Sequence, residues 1–318
     1  MVGPDAIADA VAALRAGEVI GLPTETVYGL AGDAANPAAI ARIFAIKGRP
    51  STHPVIVHLG DAALVPRWAR EVPHVAAALI ERFWPGPLTL VLPRASSVLP
   101  AVTGGQDTVA LRMPAHPVAL AVLRGFGGGL AAPSANRYGR ISPTTAAHVR
   151  ADLGNDVEIV LDGGPSDVGL ESTIVACLEG RVSLLRPGRI TSEDIETVAG
   201  PLAQRLHDVP RVPGSVAAHY APHTRVELVA HSVLGQTASA HVAAGRRVAV
   251  LAPSPLPDVP LAAAVVAASD AASYGQALYR HLRALDLAGA DVILIARPGA
   301  ALEWAAVNDR LARAATRP

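Results

Sequence analysis

The run FAIKGRPSTHP, residues 44–54, holds the one lysine of the chain; every other basic residue among the 27 is arginine. Two readings of Lys47 stand at this level. One is a helix C-terminus, where the ammonium complements the dipole and Gly48 supplies the left-handed cap. The other is a compact point charge for a phosphate oxygen, with the planar fork of Arg49 beside it as the second half of an anion clamp. Further donor chemistry lies in PTETVYG (23–29), SANRYGRIS (134–142) and RPGR (186–189), each following an apolar run that reads as a strand. Loops leaving the carboxyl ends of strands are where ligands collect in open α/β sheets. Short hydroxyls, an amide and arginines together suit an anionic ligand.

Other segments read as turns. GFGGGL (125–130) is followed by a strand rather than a helix, WPGP (84–87) is a rigid aromatic turn, and LDGGPSDVG (161–169) is a Gly-rich one. There is no H-E-x-x-H, no G-x-S-x-G and no Cys-containing zinc pattern. His219 and His223 are helix-spaced but sit among prolines, and Cys177 lies inside an apolar strand, so a metal site and a cysteine nucleophile are not expected.

The bulk composition narrows the classes. Acidic and basic residues balance at 27 each, which excludes the strong basic field of a protein held on nucleic acid by phosphate charge alone. Aromatic residues are 3%, few platforms for stacking bases. One cysteine excludes an internal disulfide. The first residues carry Asp5 and Asp9 in a helical pattern without a basic start, and no apolar run approaches the ~20 residues that span a bilayer. A soluble, cytoplasmic protein is the expectation.

The elements that must position these residues follow from periodicity. Residues 5–16 and 37–47 read as helices, the second with Ile40, Ala41, Ile43 and Phe44 on an apolar face and Gly48 and Pro50 ending it. Strands are expected at 18–22, 55–59, 88–93, 108–114, 129–133, 158–162, 172–178 and 182–187, with helices including PVALAVLRG and TTAAHVRADLG between them. Mixed spacings imply an α/β fold with parallel and antiparallel pairs. From about residue 205 the chain turns Pro- and His-rich. The expected domains are 1–204, an extended linker at 205–224, and a small Rossmann-like parallel α/β domain at 225–318 without a nucleotide fingerprint.

Taken in order, PTETVYGL, KGRPSTHPVIVH, FWPGPLTLVL, ALRMPAHP, APSANRYGRISPT, DGGPSDVGLESTIV and LLRPGRI resemble the YrdC-like family over residues 5–195. PGSVAAHYAPHT and the α/β segment after it resemble the long, two-domain form of that family. The resemblance implies a large twisted mixed sheet flanked by helices in the first domain. It also implies L-threonylcarbamoyladenylate synthesis, in which L-threonine, bicarbonate and ATP give threonylcarbamoyl-AMP and pyrophosphate. A transferase complex then moves the threonylcarbamoyl group to the adenosine 3′ of the anticodon in tRNA. Such a protein touches tRNA weakly or transiently, and has no membrane role.

Carried over residue by residue, the resemblance implies catalytic roles for Lys47 and Arg49 (K-x-R) and Ser134 and Asn136 (S-x-N). It implies ATP contacts from Arg49, His53, Thr108, Ser134, Ser142, Arg186, His219 and Tyr220. Threonine contacts fall on Thr26, His58, Arg112, Ala132 through its backbone, and Ser172. Mg²⁺ would arrive bridging the ATP phosphates, with few dedicated carboxylate ligands. His219 and Tyr220 would belong to a linker lid protecting a water-labile mixed anhydride. Two departures stand out: His53 where the family often has Asn, and Ser215 where Met is more usual. Rival readings are carbamoyl transfer from carbamoyl phosphate and a non-catalytic RNA-binding module.

Overall fold

The computed structural model describes residues 2–203, 209–214 and 219–316. Part of the expected linker 205–224, including Ser215, lies outside the described residues. The chain divides into two compact units, one of Met1–Tyr138 with Ser142–Ser215, the other of Gly139–Ile141 with Val216–Pro318.

The first unit contains, in chain order, α1 (Pro4–Arg15), β1 (Ile20–Leu22), β2 (Gly29–Asp33), α2 (Pro37–Lys47), β3 (Ile56–Leu59), α3 (His74–Phe83), β4 (Leu88–Pro93), α4 (Pro100–Thr103), β5 (Thr108–Arg112), α5 (Pro117–Phe126), β6 (Gly129–Ala131), α6 (Ala146–Leu153), β7 (Ile159–Val160), β8 (Thr173–Leu178), β9 (Arg181–Arg186) and α7 (Ser192–Ala199). Its strands form one mixed sheet in the order β7-β1-β2-β6-β3-β5-β4-β8-β9. The pairs β1–β7, β3–β5 and β4–β8 are parallel, and the remaining neighbours antiparallel.

Side chains alternate across a strand, so one register decides two faces. Val57, Leu59, Leu90, Leu92, Val109, Leu111, Val175 and Cys177 point into the large core shared with helix residues such as Ile40 and Leu79. Ile56, Val91, Ala110, Ile174 and Ala176 form a separate patch on the opposite face, with Val212 packed on it. His58 and Arg112 lie opposite each other in the β3–β5 register, continuing that second face. Helices α2 and α3 cover the first face, α1 and α5 cover the second where β1, β2 and β6 lie, and His58 and Arg112 extend along the rest of that second face.

Strand β2 is the element the periodicity missed. GLAGD has poor strand composition, because Gly and Ala are depleted in strands. The glycines answer to space: a Cβ at Gly29 would meet the Ala132 Cβ at 3.1 Å, and one at Gly32 the Ile43 Cδ1 at 3.1 Å. Helix α2 follows its sequence signals closely. Asn36 accepts from the Ala38 N–H (2.9 Å), Pro37 opens the helix, and Gly48 closes it at φ 60°.

The second unit contains β10 (Arg225–Val229), α8 (Leu234–Ala243), β11 (Val248–Ala252), β12 (Ala263–Val266), α9 (Ala271–Asp286), β13 (Val292–Ala296) and α10 (Ala305–Ala315). Its sheet runs β10-β13-β11-β12 with every pair parallel. Strands β11 and β13 are buried along their whole length, the continuous apolar runs expected of a parallel sheet covered on both faces. Gly139–Ile141, part of the SANRYGRIS motif, groups with this unit. Ala221 N–H donates to the Gly139 carbonyl (2.9 Å) and Arg283 to the Ile141 carbonyl (2.6 Å). Among the described residues, no helix is long and apolar enough to cross a membrane.

Candidate active site

Lys47 follows Ile40 by seven residues and Ile43 by four, so it lies on the buried stripe of α2 and is 2% exposed. Its ammonium donates to the carbonyls of Ser134 and Asn136, the latter at 2.6 Å, and approaches Asn136 Oδ1 at 3.4 Å. The two readings of this lysine both hold in part. It does close a helix, and its head group is also bound into the loop after β6. Burial, followed by the repulsion of Arg49, pushes its pKa well below the ordinary lysine value. Arg49 is likewise buried, donates to the Pro54 carbonyl (2.8 Å) and lies 5.7 Å from the centre of the Tyr138 ring. His53 Nδ1 meets the Tyr138 hydroxyl at 2.9 Å, and burial with the nearby Arg49 and Arg211 lowers its pKa. Lys47, Arg49, His53, Ser134 and Asn136 are thus one cluster, joined by Tyr138, which sequence reasoning had not singled out.

A second cluster centres on Arg112, 3% exposed at the end of β5. Its Nη1 donates to Thr26 Oγ1 (2.8 Å) and its Nε to the Gly86 carbonyl (3.2 Å). The WPGP turn earns its rigidity here: Trp84 Nε1 bonds the Leu88 carbonyl at 2.8 Å, fixing the acceptor that orients Arg112. Arg112 Nη2 stands 2.6 Å from Glu25 Oε1, a buried ion pair. His58 is its register neighbour, 3% exposed. Burial, and then the Arg112 charge, push its pKa down to about 3, so the imidazole is neutral at neutral pH. Ala132 donates its N–H to the Ile56 carbonyl (3.1 Å) on the adjoining strand.

A third group joins β8 and β9. Ser172 Oγ meets Thr89 Oγ1 at 2.7 Å, while Arg186 donates to the Ser172 carbonyl (2.9 Å) and to the Pro213 carbonyl (2.7 Å). Ser142 donates to Glu171 Oε1 at 2.6 Å, both buried. Thr108 begins β5, four residues before Arg112 on the same face and so ~13 Å along the strand. His219 and Tyr220 are described in the second unit. There Tyr220 is 1% exposed, adopts φ 59°, stacks on Tyr279 at 5.8 Å and lies under Arg310. A positive φ at a bulky residue is held only where its surroundings over-determine it.

Glu25 and Glu171 are the acids that sequence reasoning passed over. The available signal was an acid inside each of two motifs otherwise made of hydroxyls and arginines. LDGGPSDVG is more than a turn. Ser166 Oγ donates to the Thr24 carbonyl (2.9 Å), Val168 N–H to the Glu25 carbonyl (2.7 Å), and Tyr28 to the Gly164 carbonyl (2.6 Å), so it fastens the loop carrying Glu25 and Thr26. Among the described residues, no group of three or more His, Cys, Asp or Glu is placed to hold a metal ion.

Comparison with known proteins adds to this geometry. Residues 12–188 match the Sua5–YciO–YrdC family, described as "Telomere recombination", and residues 190–316 match "Threonylcarbamoyl-AMP synthase, C-terminal domain". The chain is 47% identical over 222 residues to a Bacillus subtilis protein named threonylcarbamoyl-AMP synthase, covering 68% of this chain and 64% of that one. A Schizosaccharomyces pombe protein of the same name is 35% identical over 93% of this chain and 85% of its own. The solved structure of Pyrococcus abyssi Sua5 complexed with L-threonine superposes with a TM-score of 0.90 at 36% identity, covering 97% of this chain and 94% of that one. The chain spans under two thirds of the B. subtilis relative's length, and 65% of that of a P. abyssi relative.

Proposed function

Because the chain belongs to the YrdC-like family of threonylcarbamoyl-AMP synthases, we propose that it joins L-threonine, bicarbonate and ATP into threonylcarbamoyl-AMP, releasing pyrophosphate. One observation carries the reading: the buried Lys47 ammonium is held by Ser134 and Asn136 oxygens with Arg49 alongside, so the K-x-R and S-x-N motifs meet at a single point.

In this reading Mg·ATP lies with its phosphates toward Lys47 and Arg49. A carbamate oxygen attacks the α-phosphorus as pyrophosphate departs, and negative charge grows around two phosphoryl centres. Preorganised cations and donors are the main help a protein gives such a transfer. Incoming phosphate charge also restores the full charge of Lys47, which burial alone disfavours. Ser134 and Asn136 complete the catalytic set. His53, Thr108, Ser142, Arg186, His219 and Tyr220 serve the nucleotide. Mg²⁺ enters with the phosphates as part of the substrate.

L-Threonine lies against Arg112, whose Nη2 takes the carboxylate, with Thr26, Ser172 and the Ala132 backbone around it. His58, being neutral, offers a hydrogen bond rather than a charge. The product passes to a transferase complex that modifies tRNA, which puts the protein's work in the cytoplasm. As domains we propose 1–204 for catalysis, 205–224 as linker and 225–318 as the small Rossmann-like domain.

The test is pyrophosphate release from the purified protein with Mg·ATP, omitting L-threonine or bicarbonate in turn. Release should need both, and Lys47→Ala should lower it by ~10²–10³. Release indifferent to L-threonine would contradict the reading.

A further inference from the structure

Glu25 is 7% exposed and belongs to a loop with little freedom. Thr24 Oγ1 donates to the Val27 carbonyl (2.6 Å), and the backbone of Glu25 is tied to Val168. Its backbone is therefore held. Yet among the described residues neither carboxylate oxygen has a hydrogen-bond partner. Oε1 touches Arg112 Nη2 at 2.6 Å as a charge pair without an aligned hydrogen, and Nη2 is itself without a hydrogen bond. The other Arg112 groups are occupied, Nη1 by Thr26 and Nε by Gly86.

A purely structural counter-ion would engage the guanidinium through aligned, bidentate hydrogen bonds, the geometry for which arginine is suited. Buried carboxylate oxygens left without hydrogen bonds are unfavourable. What remains among the described residues is a buried donor and a buried carboxylate that meet only each other, through one misaligned contact, with Glu25 Oε2 unbonded. That is the complement of an anion and a cation carried on one carbon atom. In an α-amino acid the ammonium nitrogen is two bonds from the carboxylate carbon. A substrate carboxylate on Nη2 therefore brings its ammonium within reach of Glu25.

We infer that Glu25 holds the α-ammonium group of the amino-acid substrate and accepts the proton that this nitrogen must lose before it can react; the inference rests on the threonine reading above. The balance is simple. The ammonium gives one proton to the Glu25 carboxylate, leaving a neutral amine. The amine lone pair forms the N–C bond to bicarbonate carbon while the C–OH bond breaks. The departing hydroxyl takes a second amine proton and leaves as water, giving the carbamate. Glu25 then returns its proton to solvent. The same pairing selects zwitterions: a hydroxy acid would bring its negative charge to Arg112 and leave Glu25 unanswered.

The experiment is calorimetric titration of wild type and Glu25→Gln with L-threonine and with 2,3-dihydroxybutanoate, which replaces the amino group by hydroxyl. Mg·ATP binding in both proteins reports an intact fold. Wild type should bind L-threonine at least about 30-fold more tightly than the hydroxy acid, the cost of leaving a buried charge unpaired. Glu25→Gln should lose most of that preference while binding the hydroxy acid as well as wild type or better. At saturating L-threonine its turnover should fall by ~10² or more, as for loss of a proton acceptor. Equal effects on both ligands, or a wild type that does not prefer the amino acid, would overturn the inference. Should Glu25→Gln not fold, the wild-type preference decides alone. A wild type that binds no L-threonine would instead overturn the functional reading itself.

Discussion

Lys47 shows how a residue can be legible in type and hidden in setting. Its singularity among arginines is visible in the sequence, and so is Gly48 behind it. Its place on the buried stripe with Ile40 and Ile43, its amine turned onto the Ser134 and Asn136 carbonyls, is a property of the folded loop. That collar fits an ammonium, not a planar fork. Lys47→Arg should therefore lower pyrophosphate release by ~10² despite keeping the charge, checked in the same assay as the alanine variant. The glutamates were harder to see, because their meaning depends on which cation they meet, and Glu25 meets one 87 residues away in sequence at Arg112. His58 gives a prediction about stability. The unfolded chain binds its proton near the ordinary ~6.5, the folded chain at about 3. Between those values the unfolded state holds more protons, so the stability is fully present above ~6.5 and is lost as pH falls. Urea unfolding at about pH 7.5 and pH 5 should show wild type losing ~2 kcal/mol more than His58→Gln. Equal losses would mean that His58 is solvated or charged in the folded protein.

Among the elements, strands and helices with a clean period were readable to within a few residues; α2 was read as 37–47 and is Pro37–Lys47. Strand β2 was not, since its glycines are chosen for contact with Ala132 and Ile43 rather than for strand propensity. Turns were read by their local chemistry alone, which is why WPGP and LDGGPSDVG looked like connectors. Both position the site: one presents the Gly86 carbonyl to Arg112, the other ties down Thr24 and Glu25. A Cβ at Gly86 would fall 2.3 Å from the Phe83 carbonyl oxygen, so Gly86→Ala must move the turn. The variant should be destabilised by ~1–3 kcal/mol and should raise KM for L-threonine several-fold while changing KM for ATP little. A matching rise in both constants would show that the turn serves the fold in general and not Arg112.

At the scale of the whole molecule, the two-part organisation and the mixed and parallel sheets were legible from spacing. Spacing could not say which loops share a site, because that depends on contacts between segments distant in the chain. In the first unit α2 and α3 pack on one sheet face, while the other carries α1 and α5 over β1, β2 and β6 and then His58 and Arg112; that division follows from alternation along β3 and β5. The second unit has its own core, built from β11, β13 and α8. As proposed above, this architecture makes a threonylcarbamoyl adenylate. The most direct measurement is mass analysis of the nucleotide formed from Mg·ATP and L-threonine with carbon-13 bicarbonate. Threonylcarbamoyl-AMP carrying the heavy carbon is expected, absent when L-threonine is omitted and strongly reduced in Lys47→Ala. A nucleotide product without the label, or one formed equally without L-threonine, would contradict it.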